Sequence, residues 1–190
     1  MVLSDRTIKE EIAKGRLVIE PLDEECIQPA SIDLRLDKKL LVFNTHRHSY
    51  IDVRQKQSDL NEMVEMEEDK AFFLNPGEFI LISTLESITL PDNIVGRLEG
   101  KSSLGRIGLL MHSTAGYVDP GWEGHLTMQV TNVTKLPIAL YYKMKIGQIS
   151  FLQLTSSADR PYGSAELGSK YKGQTGPTGS MYYKDFVRES

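Results

Sequence analysis

The chain has 190 residues, 40% hydrophobic and 25% charged, with a formal charge of -4. That is enough chain for one ordinary domain with its own core, and its acidic balance offers no general basic field for a nucleic-acid backbone. A single cysteine, Cys26, excludes an intrachain disulfide and any multi-cysteine zinc site.

The first predicted element is a short helix. Ser4 or Asp5 caps it, Ile8 and Ile12 share a face, and Gly15 ends it. Short strands follow at 17–20 (Leu-Val-Ile-Glu), 31–36 (Ser-Ile-Asp-Leu-Arg-Leu) and 40–43 (Leu-Leu-Val-Phe). The polar, acidic stretch from Gln55 to Asp69 reads as a surface excursion with some helix. After the Asn75-Pro-Gly turn signal, strands are predicted at 79–85, 126–131, 138–142 and 146–154, with Pro91, Pro120 and Pro137 marking boundaries. Many short strands between Gly/Pro turns predict a mainly β sandwich or barrel. No repeat and no second domain is visible. From Tyr162 onward the chain is rich in Gly, Ser, Tyr and Lys without aliphatic periodicity, which fits either a frayed terminus or a lid that orders over a ligand. No secretory leader is read at the start, and no apolar run approaches the roughly 20 residues a membrane helix needs. A cytoplasmic protein without membrane or nucleic-acid partners is expected.

Lys101, Ser102, Ser103 and Arg106 sit in a Gly-flanked segment, between Gly100 and Gly105 and just beyond. Small residues let backbone N–H groups approach an anion, and hydroxyls and cations add charge-assisted bonds. The order of residues is not that of a P-loop, so spacing alone leaves an ordinary Ser-rich turn equally open.

Several further motifs occur in order: Gln28-Pro-Ala-Ser-Ile-Asp-Leu-Arg-Leu36, Gly100-Lys-Ser-Ser-Leu-Gly-Arg-Ile-Gly108, Ala115-Gly-Tyr-Val-Asp-Pro-Gly-Trp-Glu-Gly124, Met144-Lys-Ile-Gly-Gln148 and Lys170-Tyr-Lys-Gly-Gln174. Together they resemble the dCTP deaminase family, within the deoxyuridine triphosphatase-like superfamily. The reading Thr114-Ala-Gly-Tyr117 resembles the bifunctional, dUMP-forming branch, where dUTP-forming members usually read Thr-Ala-His-Arg. Gly116 and Tyr117 therefore carry the expectation of bifunctionality. The resemblance implies a homotrimer of distorted β-barrels, each with a short N-terminal helix, and active sites at subunit interfaces. One domain spans 1–190, with 162–190 as a C-terminal lid.

In such a protein Lys101, Ser102, Ser103, Leu104, Gly105 and Arg106 contact the nucleotide, and Asp119 accepts from the deoxyribose 3'-hydroxyl. Thr127, Met128 and Gln129 lie along the pyrimidine edge, while Gln148, Tyr162, Lys170 and Gln174 reach the triphosphate. Mg²⁺ rides on the phosphates, dCTP and dUTP are ligands, and dTTP is a candidate inhibitor. The zinc route to deamination needs a His/Cys set with Pro-Cys-x-x-Cys, which one distant cysteine does not supply. The family instead cycles one glutamate between base and acid, with Ser102 and Arg106 holding the water.

This chain carries Gln129 at that glutamate position. Glutamine keeps the shape and loses the transferable proton, so an engineered isostere, a natural variant with lost or rerouted chemistry, or a shifted register are the open readings. The flanking motifs align without gaps, and Glu123, the other nearby acid, falls in a predicted turn. Conversion of dCTP to dUMP, ammonia and pyrophosphate is the expected activity, with catalysis in this form impaired. A dUTP-forming deaminase and a non-catalytic deoxynucleotide-binding protein are the alternatives. His112 and His125 read as structural or supporting, His46 and His48 as solvated, Cys26 as a small buried apolar residue. Trp122 reads as packing in the turn, and Asp33 as part of a strand.

Overall fold

Ser4 opens the first helix, α1 (Asp5–Ala13), by accepting a hydrogen bond from Thr7 N at 3.5 Å, and the chain leaves it at Gly15. Ile8 is fully buried and Ile12 packs partly buried beside it, as the i, i+4 spacing requires. The computed structural model describes residues 1–46, 48–111 and 115–186.

Strands follow as β1 (Val18–Glu20), β2 (Ile27–Gln28), β3 (Ser31–Phe43), β4 (Asn61–Glu65), β5 (Phe72–Leu74), β6 (Phe79–Thr89) and β7 (Ile94–Gly100). One turn of helix, α2 (Ser102–Gly105), precedes β8 (Leu109–Met111), β9 (Tyr117–Val118), β10 (Glu123–Asn132), β11 (Ile138–Leu140) and β12 (Lys145–Gln153). Ten strands form one sheet in the order β8-β10-β6-β3-β12-β7-β9, with β1 added on β6 and β2 and β4 on β3. The other two, β5 and β11, pair with each other.

The long strand β3 makes the sheet curl. Its first part, Ile32 to Arg35, pairs with β12, and its later part, Leu36 to Val42, pairs with β6. A register shift between Leu36 and Leu40 bends the strand where it changes partners. Ile32, Leu34, Leu36, Leu40, Ile82, Ile149 and Phe151 are all fully buried inside the curl. The result is a mainly β, curled half-barrel with two helices.

Two expectations are corrected. Segments 31–36 and 40–43 are one continuous strand, because Asp37, Lys38 and Lys39 lie at the crossing where polar side chains reach solvent. The stretch from Gln55 to Asp69 holds β4 and no helix among its residues. Pairing of residues 61–65 with Phe43 to Lys39 satisfies their backbone, and this outweighs the helix preference of Glu and Met. Strand β7 has two glycines and two charges in seven residues and carries little β pattern, yet it is buried between β12 and β9.

Candidate active site

Alternation along β10 sorts its side chains onto two faces. Leu126, Met128 and Val130 belong to the buried core, Met128 fully so. Thr127 and Gln129 line a cavity of about 520 Å³, whose wall also includes Asp119, Trp122, Tyr117 and Asn61. Of the predicted pyrimidine-edge residues, Met128 therefore has only its backbone left to offer.

Gln129 Oε1 is buried without a hydrogen-bond partner, and so are Asn61 Oδ1 and Gln174 Oε1, on the wall of the same cavity. A buried acceptor left unmade costs about 1–3 kcal/mol. Three residues of the cavity wall thus each hold an amide oxygen without a protein partner.

The C-terminal segment closes the cavity from one side. Tyr162 N donates to Pro120 O at 2.7 Å, and its ring lies 5.4 Å from that of Trp122. Tyr171 N donates to Tyr162 Oη at 3.1 Å, and Met181 N to Tyr171 Oη at 2.9 Å. Between these points Gly173 N donates to Glu123 O at 2.7 Å, His125 N to Gln174 O at 3.0 Å, and Gln174 Nε2 to His125 O at 2.7 Å. Thr127 Oγ1, which faces the cavity, accepts from Thr178 N at 3.0 Å. Gly124 allows this close seating: its φ is +126°, and a Cβ there would stand 2.8 Å from Gln174 O. Lys170 lines a neighbouring depression with Lys39 and Lys172. Its Nζ is 2.5 Å from Asp185 Oδ1, and this hydrogen bond holds the ammonium above the ordinary lysine range.

The other predicted residues gather elsewhere on the chain. None of residues 101–106 lines the cavity. Ser102, Ser103, Gly105 and Arg106 are exposed on α2 and its end, and Leu104 packs partly buried against the core. Lys101 Nζ sits 2.5 Å from Asp33 Oδ1. Gln148 accepts from Ser31 Oγ at 3.0 Å and donates Nε2 to Gly100 O at 3.3 Å. One group of site residues thus stands on β10 and the tail, and a second at the joint of β3, β12 and β7.

Gly116 brings its backbone against β7, where Leu98 N donates to Gly116 O at 2.7 Å and a Cβ would meet Leu98 O at 2.9 Å. Tyr117 is exposed at the cavity rim and pairs across from Arg97. Thr114 and His112 lie outside the described residues. His125 Nδ1 is 2.9 Å from Thr84 O, a structural contact. Trp122 is buried and donates Nε1–H to Gly124 O at 3.1 Å. Burial pushes the Cys26 thiol up. His48 departs from the solvated reading: it is partly buried, and its Nε2 lies 3.1 Å from Asp59 Oδ1 without a well-aligned hydrogen bond.

Sequence reasoning missed Asn61 and Thr178 as wall residues, and the ion pair of Asp33. Asn61 lies in the stretch read as an excursion, so nothing marked it. Asp33 did carry a signal: an acid between apolar strand residues needs a counter-charge. Among the described residues no group of three or more His, Cys, Asp or Glu side chains is placed to hold a metal ion.

Comparison with known proteins gives this architecture its relatives. A family model described as dCTP deaminase-like matches residues 2–154. A protein of Mycolicibacterium vanbaalenii named "dCTP deaminase, dUMP-forming" is 56% identical over 188 residues, covering 99% of both chains. One of the same name from Parafrankia is 56% identical over 188 residues, 99% of this chain and 94% of that protein. The crystal structure of 2'-deoxycytidine 5'-triphosphate deaminase from Agrobacterium tumefaciens superposes with a TM-score of 0.63 at 26% identity. That match covers 79% of this chain and 46% of the other. With a match over most of its length and full-length relatives above half identity, the chain belongs to the dCTP deaminase-like family.

Proposed function

We propose that this chain is built as a dUMP-forming dCTP deaminase: dCTP and two waters give dUMP, ammonia and pyrophosphate. The names of its full-length relatives support this. The observation that carries it is Gln129, whose Oε1 is an unpartnered acceptor in a cavity shared with Thr127 and Asp119. An amide oxygen there accepts from the 4-amino group of a cytosine, Asp119 takes the 3'-hydroxyl, and the tail covers the nucleotide through Tyr162, Lys170 and Gln174. The substrate is the Mg²⁺ complex of dCTP, so the cation arrives with the phosphates.

Lys101 to Arg106 and Gln148 complete the site from a neighbouring subunit. Their separation from the Gln129 cavity within one chain supports a homotrimer with sites at its interfaces. Exposed Ile107, Leu110 and Val133 on and beside β8 supply apolar surface for such contacts. At neutral pH a carboxyl at position 129 takes a proton from water and passes one to the leaving ammonia, and an amide does neither. Such assistance is typically worth about 10²–10⁴-fold. Gln129 favours a second reading, a deoxynucleotide-binding protein without turnover.

A chromatographic product assay on Mg²⁺-dCTP, comparing this chain with Gln129→Glu, separates the two. dUMP and pyrophosphate from the glutamate form alone are expected. dUTP as the product overturns the dUMP-forming assignment. Binding by both forms with reaction by neither replaces the enzyme with a binding role.

A further inference from the structure

Asp33 is a buried acid at the second group of site residues. Its side chain is 3% exposed, and its neighbours Ile32 and Leu34 are fully buried. An unpaired carboxylate in such a place is costly, so its partners carry weight. They are Lys101 Nζ at 2.5 Å, Lys145 Nζ at 3.7 Å and Gln28 Nε2 at 3.3 Å. We propose that Asp33 is a positioning residue that aims the Lys101 ammonium at the triphosphate; the proposal rests on the reading above that Lys101 meets those phosphates.

Three features separate this pair from a merely structural ion pair. Lys101 retains 24% of its side-chain exposure, so an ammonium with three donors keeps some for an anion after bonding Asp33. The backbone on both sides of the pair is fixed by one residue: Gln148 lies opposite Asp33 in the β3–β12 register and donates to Gly100 O, immediately before Lys101. Finally, Asp33 cannot leave. Asp185, which holds Lys170, is by contrast 45% exposed, on the short turn Tyr182–Asp185. Asp33 sits within β3 and stays in place. A long, mobile side chain is thereby ordered before the nucleotide arrives, and that ordering is not charged against binding.

The sign of the effect makes the proposal testable. Asp33→Asn removes a negative charge beside the phosphates, so simple electrostatics predicts tighter binding of dCTP. Loss of positioning predicts weaker binding. Calorimetry with Mg²⁺-dCTP should show a loss on the order of tenfold for Asp33→Asn, with no change in the affinity for deoxycytidine, which has no phosphates. In a Lys101→Met background the same substitution should have no further effect. Tighter or unchanged dCTP binding, an equal loss for deoxycytidine, or additive losses overturns the proposal.

Should Asp33→Asn fail to fold, ¹⁵N-ammonium spectra of the unsubstituted chain decide. A slowly exchanging lysine resonance, absent in Lys101→Met and kept on adding dCTP, is expected. Its absence from the free protein overturns the proposal. If the unsubstituted chain does not bind dCTP at all, the proposed function falls first, and the role of Asp33 falls with it.

Discussion

A glutamine amide and a glutamate carboxyl share a shape but not a proton, so under the proposed function a single atom at position 129 would separate binding from chemistry. That Gln129 lies on a strand was legible in the sequence, where 126–131 read as one. The counter-charge of Asp33 was not, since Lys101 is 68 residues away and only the fold joins them. Buried charge also governs stability elsewhere. Arg35 donates Nε to Glu86 Oε1 at 2.6 Å and Nη2 to Pro21 O at 2.9 Å, and it also pairs with Asp23. Burial pushes the Glu86 carboxyl up, against the hydrogen bonds from Arg35. Arg35→Met should therefore cost about 3–5 kcal/mol in urea unfolding, because it strands a buried acid. Adding Glu86→Gln should recover part of the loss. Glu11 behaves oppositely. Burial raises its carboxyl, but hydrogen bonds from Arg16 and Lys14 outweigh this and leave it below the ordinary range. A lowered pKa in the folded state means that stability is present above the ordinary carboxylate pKa and is lost as pH falls through the folded value. Glu11→Gln should remove less than about 1 kcal/mol at neutral pH, since both partners are half-exposed. The difference should vanish in acid, as read from unfolding curves across pH.

At the scale of elements, the tail and β10 behave as one unit, joined mainly through backbone groups of residues 123–125 and 173–174. Gly124→Ala should strain a left-handed position and push Gln174 away, with faster amide exchange at Gly173 and Gln174 and a loss of about 1–3 kcal/mol. Thr127→Val removes the acceptor of Thr178 N and should loosen only the later part of the tail, by about 1 kcal/mol. Limited proteolysis in 175–186, with the core intact, checks both. Composition hid this docking: Gly, Ser and Tyr have no periodicity to announce a partner, because the backbone makes the contacts. The strands that could be read, such as 126–131 and 146–154, are those whose alternation reflects one buried face. β4 and β7 escaped because charged and glycine residues are tolerated where neighbouring strands supply the hydrogen bonds.

For the whole molecule, the proposed shared site has a direct test. A chain carrying Gln129→Glu and Arg106→Ala should be inactive alone. Mixed and reassembled with the unsubstituted chain, it should regain deamination, since Glu at 129 on one subunit then meets Arg106 on the next. No recovery in verified mixed trimers would place both residues on one chain's site. Strands β1, β3, β6, β10, β11 and β12 were readable in advance, β3 as two pieces. How the curl parts the site residues into two groups was not, because it depends on β3 exchanging β12 for β6 halfway along its length.

That same curl has a consequence for the sheet's rims. The two ends of the strand order, β8 and β9, are separated in the chain only by residues 112–116. They are three and two residues long, so each end strand itself offers only a few backbone groups. Edges this short are poor templates for a foreign strand. A foreign strand therefore gains few hydrogen bonds at either end of the strand order, and the longer footing is the five-residue edge of β4, which pairs with β3.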